Sequence, residues 1–180
     1  EIDACRSDWV LALEHLQLSL RHDTDNLRAR NLKVIALRRM GRDAESELFL
    51  TETLALDPLD GTARWLAGKP IGCDTQTRID LAIYLARAGQ FNDAIGLLND
   101  AIKDADAGTR PLLYYYLAAY AQQNGATQQA AEHRIHAANQ VRDYCFPARL
   151  EDLVVLEDAL QYAPDDAAAH YYLGNLLYDK

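Results

Sequence analysis

The sequence predicts an all-α protein. Alanine and leucine dominate its 180 residues while β-branched residues are sparse, and this composition favours helices over strands. Apolar residues also recur at helical spacing along almost the whole chain. Several of the few glycines and prolines stand between apolar runs, where they act as stop signals. Together these observations predict ten helices and no strand, and they argue against a β-sandwich.

Local signals divide the chain into its elements. Gly41, Gly89 and Gly125 each follow one helical run and precede another. Glycine is expected at such a place because the residue just past a helix end often adopts the left-handed conformation. Pro58 and Pro164 each close a run, because the residue before proline avoids the helical conformation. In chain order, the predicted helices span residues 8–22, 27–40, 43–56, 60–67, 75–88, 91–105, 110–124, 127–141, 147–162 and 166–179.

Apolar stripes are clearest on three of these helices, over 8–22, 75–88 and 147–162. Residues at this spacing share one face of a helix, so we expect that face to be buried. The stripes comprise Trp9, Ala12, Leu13, Leu16 and Leu20; Leu81, Ile83, Tyr84 and Leu85; and Leu150, Leu153, Leu156 and Leu160.

An internal repeat links the segments 78–101 and 114–137. Both carry leucine-alanine, glycine, alanine and a final alanine at identical offsets. Small residues at such positions let two antiparallel helices approach closely, and bulky leucines fill the seams between neighbouring pairs. The matched positions are Leu81-Ala82 and Leu117-Ala118, Gly89 and Gly125, Ala94 and Ala130, and Ala101 and Ala137.

The repeated pattern resembles the tetratricopeptide repeat, which has about 34 residues. The segment 167–178 is similar to the first helix of that repeat, and Gly174 within it is expected at a close helix contact. Asn26–Pro58 matches in its second half, whereas Arg30 and Lys33 stand where large apolar residues are expected. The resemblance implies a right-handed superhelical array of antiparallel helix pairs, an α-solenoid with two irregular insertions.

Two insertions break the period. The first, the helix 60–67 with the loop 68–74, lengthens the interval Gly41–Gly89 to 48 residues. The second, a turn over 142–147 and one further helix, lengthens the interval Leu117–Leu173 to 56 residues. An odd helix should reverse the alternation of inner and outer layers, and the sequence does not decide whether it does.

The domain organisation follows from the repeat. We expect one helical array over 1–180, with the sub-blocks 1–67 and 75–180 joined by the loop 68–74. The pattern begins with the second helix of one repeat and stops after the first helix of another. We therefore expect the array to be an excised section of a longer protein.

The charge balance bears on the partner. With 27 acidic and 18 basic residues the formal net charge is −9, which argues against a nucleic-acid backbone or an anionic membrane, since both need a positive footprint. The longest apolar run, Leu112–Ala121, is far shorter than the roughly 20 residues of a membrane helix. The N-terminus lacks a secretory signal, and Cys5, Cys73 and Cys145 are too scattered for a disulfide framework. These features predict a cytoplasmic protein that binds neither nucleic acid nor membrane.

No group of residues reaches the standard of a catalytic or metal site. His133 and His136 are one helical turn apart, but a metal site needs three or four converging ligands. Cys145 has no histidine placed beside it as a base, and the segment 68–72 has the wrong spacing for a phosphate loop. We therefore predict that the protein is not an enzyme and binds no cofactor or metal. The histidines are expected to be solvated, and the cysteines to pack as small hydrophobes.

The resemblance also implies that first helices line a concave surface that binds a protein or peptide. Tyr115 and Tyr171, matched by offset, would face this groove as contact residues, unless the tyrosines only fill the seam between repeats. Three arginines would make the N-terminal part basic and suit a segment with acidic residues followed by apolar ones. The residues expected on this face are Arg38, Arg39, Ile79, Ile83, Arg87, Tyr115, Ala119, Gln122, Tyr171, Asn175 and Tyr178.

Two functions remain open. The first is a non-catalytic scaffold that binds a protein or peptide in the concave face. The second is an accessory helical module of a carbohydrate-active multidomain protein, in which tyrosines stack on sugars or the array positions a catalytic domain. This second function follows a further resemblance: the strings 144–151 and 171–178 are similar to helical repeats of large bacterial proteins that also carry a β-sandwich domain of uncharacterised function.

Self-association is a further expectation. Both ends of the array would leave an apolar seam uncovered, and terminal repeats normally need a polar cap. The segment is therefore expected to pair end to end, or to shift its last helix so that this helix covers the seam.

Overall fold

The computed structural model describes residues 8–142 and 144–178. Within these ranges the chain is all-helical, with ten α-helices and no strand, as predicted. Helix ends agree with the predicted ends within a few residues, and the predicted thiol Cys5 lies outside the described residues. The helices are α1 (Trp9–His22), α2 (Leu27–Arg39), α3 (Asp43–Leu56), α4 (Gly61–Leu66), α5 (Thr75–Arg87), α6 (Phe91–Asp104), α7 (Arg110–Gln123), α8 (Thr127–Ala138), α9 (Leu150–Tyr162) and α10 (Ala167–Tyr178).

Short polar side chains begin several of these helices. The carboxylate of Asp8 accepts a hydrogen bond from the N–H of Leu11 at 3.2 Å, and the amide oxygen of Asn26 accepts one from Ala29 at 2.9 Å. Such a side chain satisfies a backbone donor that the first turn of a helix leaves unpaired. The predicted turn glycines after α2, α5 and α7 all have positive φ angles, between 70° and 81°.

The chain divides into two compact units. Unit 1 comprises Glu1–Cys73 and Arg87–Gly89, and unit 2 comprises Asp74–Ala86 and Gln90–Lys180. The boundary between Cys73 and Asp74 falls at the end of the loop that the sequence analysis placed between two sub-blocks. Within each unit, several helices that are neighbours in sequence pack against one another.

Unit 1 is built on the helices α1 to α4, each packed against the next. Val34 of α2, Leu50 of α3 and Ala63 of α4 form a buried apolar cluster. The side-chain amide of Asn31 donates a hydrogen bond of 2.8 Å to the carboxylate of Asp60. Because Asp60 also caps α4, this bond fixes the short helix of the first insertion to α2.

Unit 2 is organised around α7, which packs against α6, α8 and α9. Residues 111–113 and 115–121 of this helix are all buried, including three tyrosines. A helix that is buried on every side is the central helix of its unit. α10 packs against α9 and also contacts α8, so the second insertion brings α9 against both α7 and α10.

The pair α2–α3 shows a contact that recurs along the chain. Arg30, near the start of α2, lies 3.7 Å from the carboxylate of Glu52 and donates a hydrogen bond of 3.1 Å to Thr53. The guanidinium of Arg30 also lies over the ring of Phe49, 4.4 Å from its centroid. Because these contacts join the start of one helix to the end of the next, the two helices run antiparallel.

The pairs α5–α6 and α7–α8 repeat this contact at equivalent positions. Arg78 of α5 donates to the carbonyl of Asp100 at 3.5 Å and to the carboxylate of Asp104 at 2.7 Å. The ring of Tyr114 in α7 stacks on His136 of α8 with 5.4 Å between centroids. Positions 30, 78 and 114 are spaced along the chain in the same way as positions 52, 100 and 136. Three helix pairs therefore share one inter-helix register.

Small residues lie where the paired helices cross. In α2–α3 the hydroxyl of Ser46 donates to the carbonyl of Val34 at 3.3 Å, and neither side chain has any exposed surface. The equivalents of Ser46 in the other two pairs are Ala94 and Ala130, and both are fully buried, as predicted. A larger side chain at this position would separate two closely packed helices.

The prediction for Gly174 is wrong within the described residues. Gly174 of α10 was expected at a close helix contact like its equivalents Ala82 and Ala118, which are 0% and 1% exposed. Instead it is exposed, and a Cβ atom placed there would meet no atom within 4 Å. The sequence pattern predicts the helix itself correctly, but no described helix packs on this face of α10.

None of the described helices combines the length and the apolar character that a membrane span requires.

Enlarging Ala94 should destabilise unit 2. We expect Ala94→Leu to overpack the crossing of α5 and α6 and to lower the free energy of unfolding by about 1–3 kcal/mol. Asn99→Leu, on the exposed side of the same helix, is the matched control and should change it little. Urea denaturation monitored by circular dichroism measures both. Equal midpoints for the two variants would contradict the shared register.

Candidate binding surfaces

Two buried hydrogen bonds determine where the C-terminal helices lie. The hydroxyl of Tyr115 in α7 donates to the carboxylate of Asp166 at 2.9 Å. The other oxygen of that carboxylate accepts from the N–H groups of Ala168 and Ala169 at 2.9 and 3.1 Å. Asp166 thereby caps the N-terminus of α10, where the helix dipole favours a negative charge. One aspartate thus connects the start of α10 to the middle of α7.

A second tyrosine makes the same connection to α9. The hydroxyl of Tyr116 donates to Asp152 at 2.6 Å, and Asp152 has no exposed surface. Its second oxygen accepts from the N–H groups of Ala148 and Arg149 at 2.8 and 2.9 Å. Burial, reinforced by the neighbouring carboxylate, raises the pKa of Tyr116, and the same causes raise the pKa of Tyr115. Both phenols therefore stay protonated and act as donors.

This arrangement corrects part of the predicted groove. Tyr115, Ile79, Ile83 and Ala119 were expected on a ligand-facing surface, but their exposed fractions are 0%, 1%, 7% and 2%. The expectation that Tyr115 lies outside the core is wrong, because its hydroxyl is used inside the unit. The sequence carried a signal for this: the chain has no charge between Pro111 and Ala131, as expected of a helix buried on every side.

The predicted arginines remain at or near the surface. The guanidinium of Arg38 pairs with Glu47 at 2.6 Å and is about one-third exposed. Arg39 is exposed, with its guanidinium 6.0 Å from the centroid of the Trp9 ring. Arg87 is exposed as well. A surface ion pair such as Arg38–Glu47 contributes little to stability, so this arginine can exchange its partner at small cost.

The predicted residues at the C-terminal end keep more of their exposure. Tyr171 and Tyr178 are 50% and 94% exposed, and Asn175 between them is half-buried. Spacings of four and three residues place these side chains on one face of α10. Gln122, in contrast, is engaged inside unit 2, where its amide oxygen accepts a hydrogen bond of 3.3 Å from Arg134.

The second insertion carries exposed apolar side chains that were not among the predicted site residues. Tyr144 and Phe146 are 83% and 75% exposed, and Leu150 and Val154 on α9 are 76% and 60% exposed. We call these four residues the 144–154 surface. The related sequence signal is the alternation Tyr-Cys-Phe-Pro over 144–147, in which Cys145 and Pro147 are buried and the two rings are exposed.

The backbone beneath this surface is firmly anchored. Cys145 and Pro147, which alternate with the two exposed rings, are buried. A Cβ atom at Gly108 would collide with the backbone carbonyl of Tyr144, so the segment lies directly on the turn before α7. Tyr144 itself has a φ angle of 61°, which residues other than glycine rarely adopt. Such strain persists only where the surrounding structure holds the residue in place.

Arg149 ties the end of this segment to α5. Its guanidinium donates to the carboxylate of Asp80 at 2.8 Å and to the carbonyl of Gln76 at 3.4 Å. Partial burial lowers the pKa of Arg149, but the hydrogen bond and charge pairing with Asp80 and the charge of Asp152 together outweigh it, so the pKa is raised. The 144–154 surface is thus supported by α5, by α7 and by the start of α9.

The remaining candidate residues, two histidines and one cysteine, are engaged in packing. His133 and His136 both pack on the ring of Tyr114, and burial lowers the pKa of His133. Burial and the nearby carboxylate of Asp152 raise the pKa of the Cys145 thiol to about 12, so it carries almost no thiolate at neutral pH. Across residues 8–142 and 144–178, no three histidine, cysteine or carboxylate side chains come together in a way that could hold a metal ion.

Comparisons with known proteins do not assign a family to this geometry. A scan against protein-family models finds no match, and a search of curated proteins finds no relative. The likeness to tetratricopeptide repeats therefore stays a resemblance in sequence pattern.

Removing the hydroxyl of Tyr116 should destabilise the fold. We expect Tyr116→Phe to cost about 1.5–3 kcal/mol, because Asp152 is a buried charged acceptor and would lose one of its three donors. Tyr114→Phe, which keeps the ring stack on α8, is the control and should cost less. Urea denaturation measures both free energies.

The pH dependence of this loss gives a second readout. The ordinary pKa of tyrosine is 10, and the folded protein raises that of Tyr116. Above pH 10 the unfolded chain therefore releases a proton that the folded chain retains, and the advantage of Tyr116 over phenylalanine shrinks. A Tyr116→Phe variant as stable as the unmodified chain at pH 7 would contradict the role given to the pair.

The thiols should differ in reactivity. We expect iodoacetamide at pH 8 to label the half-buried Cys73 and to spare Cys145, which is buried and has a raised pKa. Peptide mass spectrometry at successive times measures both rates, and unfolding in guanidinium should make them similar. Fast labelling of Cys145 in the folded protein would contradict the anchoring of the 144–147 segment.

Proposed function

We propose that this protein is a non-catalytic scaffold that binds a protein or peptide partner, and that the 144–154 surface is its contact site. The observation that carries the proposal is the pair of aromatic rings at Tyr144 and Phe146, exposed on a backbone held from both sides. Exposed apolar patches on soluble domains commonly mark interaction sites. Rigid aromatic side chains suit such a site because little conformational entropy is lost when they are buried.

The repeated helix register supports the same class of function. An array of antiparallel helix pairs, in the right-handed superhelical form that the sequence resemblance implies, offers extended surfaces to partners. In the proposed arrangement α5 and α7 form the supporting core, and the second insertion supplies the contact residues. In this proposal the helices predicted to line the concave face, α5 and α7, support the site from beneath and do not themselves contact the partner.

The chemistry of the surface indicates the kind of partner segment. Tyr144, Phe146, Leu150 and Val154 would bury apolar side chains, which is the main source of binding free energy in such contacts. Arg142, exposed at the start of the segment, adds a cation that pairs best with a carboxylate. The cation at 142 and the apolar residues that follow it suit a partner segment with an acidic residue next to apolar residues. This is the kind of segment that was predicted for the groove.

Substitution within the surface tests the proposal. A partner is first captured from a lysate on the immobilised chain, and its affinity is then measured by calorimetry. We expect Tyr144→Ser combined with Phe146→Ser to weaken binding at least tenfold, about 1.4 kcal/mol or more. Leu59→Ser, which removes an equally exposed apolar side chain from unit 1, is the control and should leave affinity unchanged. Equal effects of the two changes would refute the site.

A second candidate function rests on the face of α10. Tyr171 and Tyr178 present rings to solvent with the amide of Asn175 between them. Exposed aromatic rings beside hydrogen-bonding amides suit sugars, so an accessory module of a carbohydrate-active protein is the alternative. A glycan array distinguishes the two: binding that Tyr178→Ala abolishes and Phe146→Ser does not would favour the carbohydrate function.

A further inference from the structure

Gly108, in the turn between α6 and α7, touches the backbone of the 144–147 segment. A Cβ atom placed on Gly108 would collide with the carbonyl oxygen of Tyr144 and would lie only 2.9 Å from its carbonyl carbon and 3.2 Å from its Cβ atom. The φ angle of Gly108 is not positive, so the turn itself does not require glycine. The close approach of Tyr144 is therefore the reason for glycine at this position.

This turn is fixed by hydrogen bonds within itself and to α5. The carboxylate of Asp106 accepts from the N–H of Thr109 at 2.7 Å. The guanidinium of Arg110 donates to the carbonyl of Ala105 at 2.8 Å. The side-chain amide of Gln76 in α5 donates to the hydroxyl of Thr109 at 3.4 Å. Because the turn leads directly into the buried helix α7, it cannot shift without disturbing the centre of unit 2.

The 144–147 segment is the more yielding side of this contact. The hydrogen bonds that hold it to Asp152 are made past its far end, by the N–H groups of Ala148 and Arg149. Tyr144 lies at the near end, where it is 83% exposed and has a strained φ angle of 61°. A methyl group added to the turn would therefore displace Tyr144 and leave the turn in place.

The two halves of the 144–154 surface thus have different supports. The aliphatic side chains belong to α9, whose start is held by the hydrogen bonds of Asp152. The two aromatic rings belong to the 144–147 segment, which lies against the turn at Gly108. A shift at this contact would move the rings relative to the aliphatic side chains, and the four side chains would no longer form one surface.

We infer that Gly108 is a positioning residue of the 144–154 surface: it supplies no side chain to the contact, and the absence of its Cβ atom determines where the rings of Tyr144 and Phe146 lie. The effect on binding rests on the proposed function, whereas the placement of the segment is a property of the chain alone. A preformed surface loses little conformational freedom when a partner binds. An added methyl group should therefore weaken binding without removing any atom that touches the partner.

Nuclear magnetic resonance tests the contact in the unmodified chain. A Cβ atom on Gly108 would lie 3.2 Å from the Cβ atom of Tyr144, so the α-protons of Gly108 and the β-protons of Tyr144 should show a nuclear Overhauser effect. This measurement does not depend on whether a variant folds. Absence of the effect, in spectra that do show the ring contact of Tyr115 with Tyr172, would overturn the inference.

Thiol labelling tests the displacement of the segment. Cys145 is 2% exposed, and we expect iodoacetamide at pH 8 to label it at least about tenfold faster in Gly108→Ala, through local opening of the segment. Gly174→Ala is the matched control, because it adds the same methyl group in the same unit where no atom lies within 4 Å, and it should leave the rate unchanged.

Urea denaturation monitored by circular dichroism separates local opening from loss of the whole fold. It gives the fraction of globally unfolded chain, and labelling of Cys145 in Gly108→Ala should be faster than this fraction allows. A general loss of stability would not produce this excess. Equal labelling rates in Gly108→Ala and Gly174→Ala would overturn the inference.

Calorimetry with the partner captured in the test of the proposed function completes the experiment. We expect Gly108→Ala to weaken binding roughly tenfold, because a preformed surface is loosened, and Gly174→Ala to leave the affinity unchanged. Full affinity of Gly108→Ala, while Tyr144→Ser with Phe146→Ser weakens binding, would overturn the inference and leave the proposed function intact. Faster labelling of Cys145 in Gly108→Ala, together with full affinity of the serine variant, would support the positioning of the segment and refute the proposed function.

Discussion

The hydrogen bonds from Tyr115 and Tyr116 to two buried aspartates are the constraint on which the C-terminal part of the structure depends. A buried carboxylate is costly unless donors surround it. Asp152 and Asp166 each receive one phenol hydroxyl and two backbone N–H groups. Because both carboxylates lie at helix N-termini, satisfying them also fixes where α9 and α10 begin. Two adjacent residues of α7 therefore position two helices.

The exposed features of unit 2 follow from this constraint. With Asp152 held by Tyr116, the segment before α9 must cross the turn that precedes α7, where Gly108 leaves room for the backbone of Tyr144. Cys145 is then buried and the two neighbouring rings face solvent. The exposed rings of Tyr144 and Phe146 therefore lie on a segment that is held by core hydrogen bonds at one end and by the turn at Gly108. This explains why a strained φ angle is tolerated at Tyr144.

Local sequence pattern predicted the helices and the crossing residues, because both depend on neighbours in the chain. Helix ends follow from glycine, proline and capping side chains, and the burial of Ala94 and Ala130 follows from the repeat. The partners of Tyr115 and Tyr116 are 51 and 36 residues away, and no local pattern indicates which hydroxyl meets which carboxylate. For the same reason the sequence pattern predicted Tyr115 in a groove, although this residue lies in the core.

The second insertion also separates two kinds of surface within unit 2. α9 packs on α7 and presents Leu150 and Val154, while α10 packs on α9 and presents Gly174 and Leu177. A regular array would follow α8 directly with another pair, whereas here the added helix α9 packs against both α7 and α10. The exposed apolar residues of α9 and those of α10 therefore belong to different helices. Those of α9 follow a strained and anchored segment, whereas Leu177 of α10 lies one turn beyond Gly174, where an added Cβ atom would meet no neighbour within 4 Å.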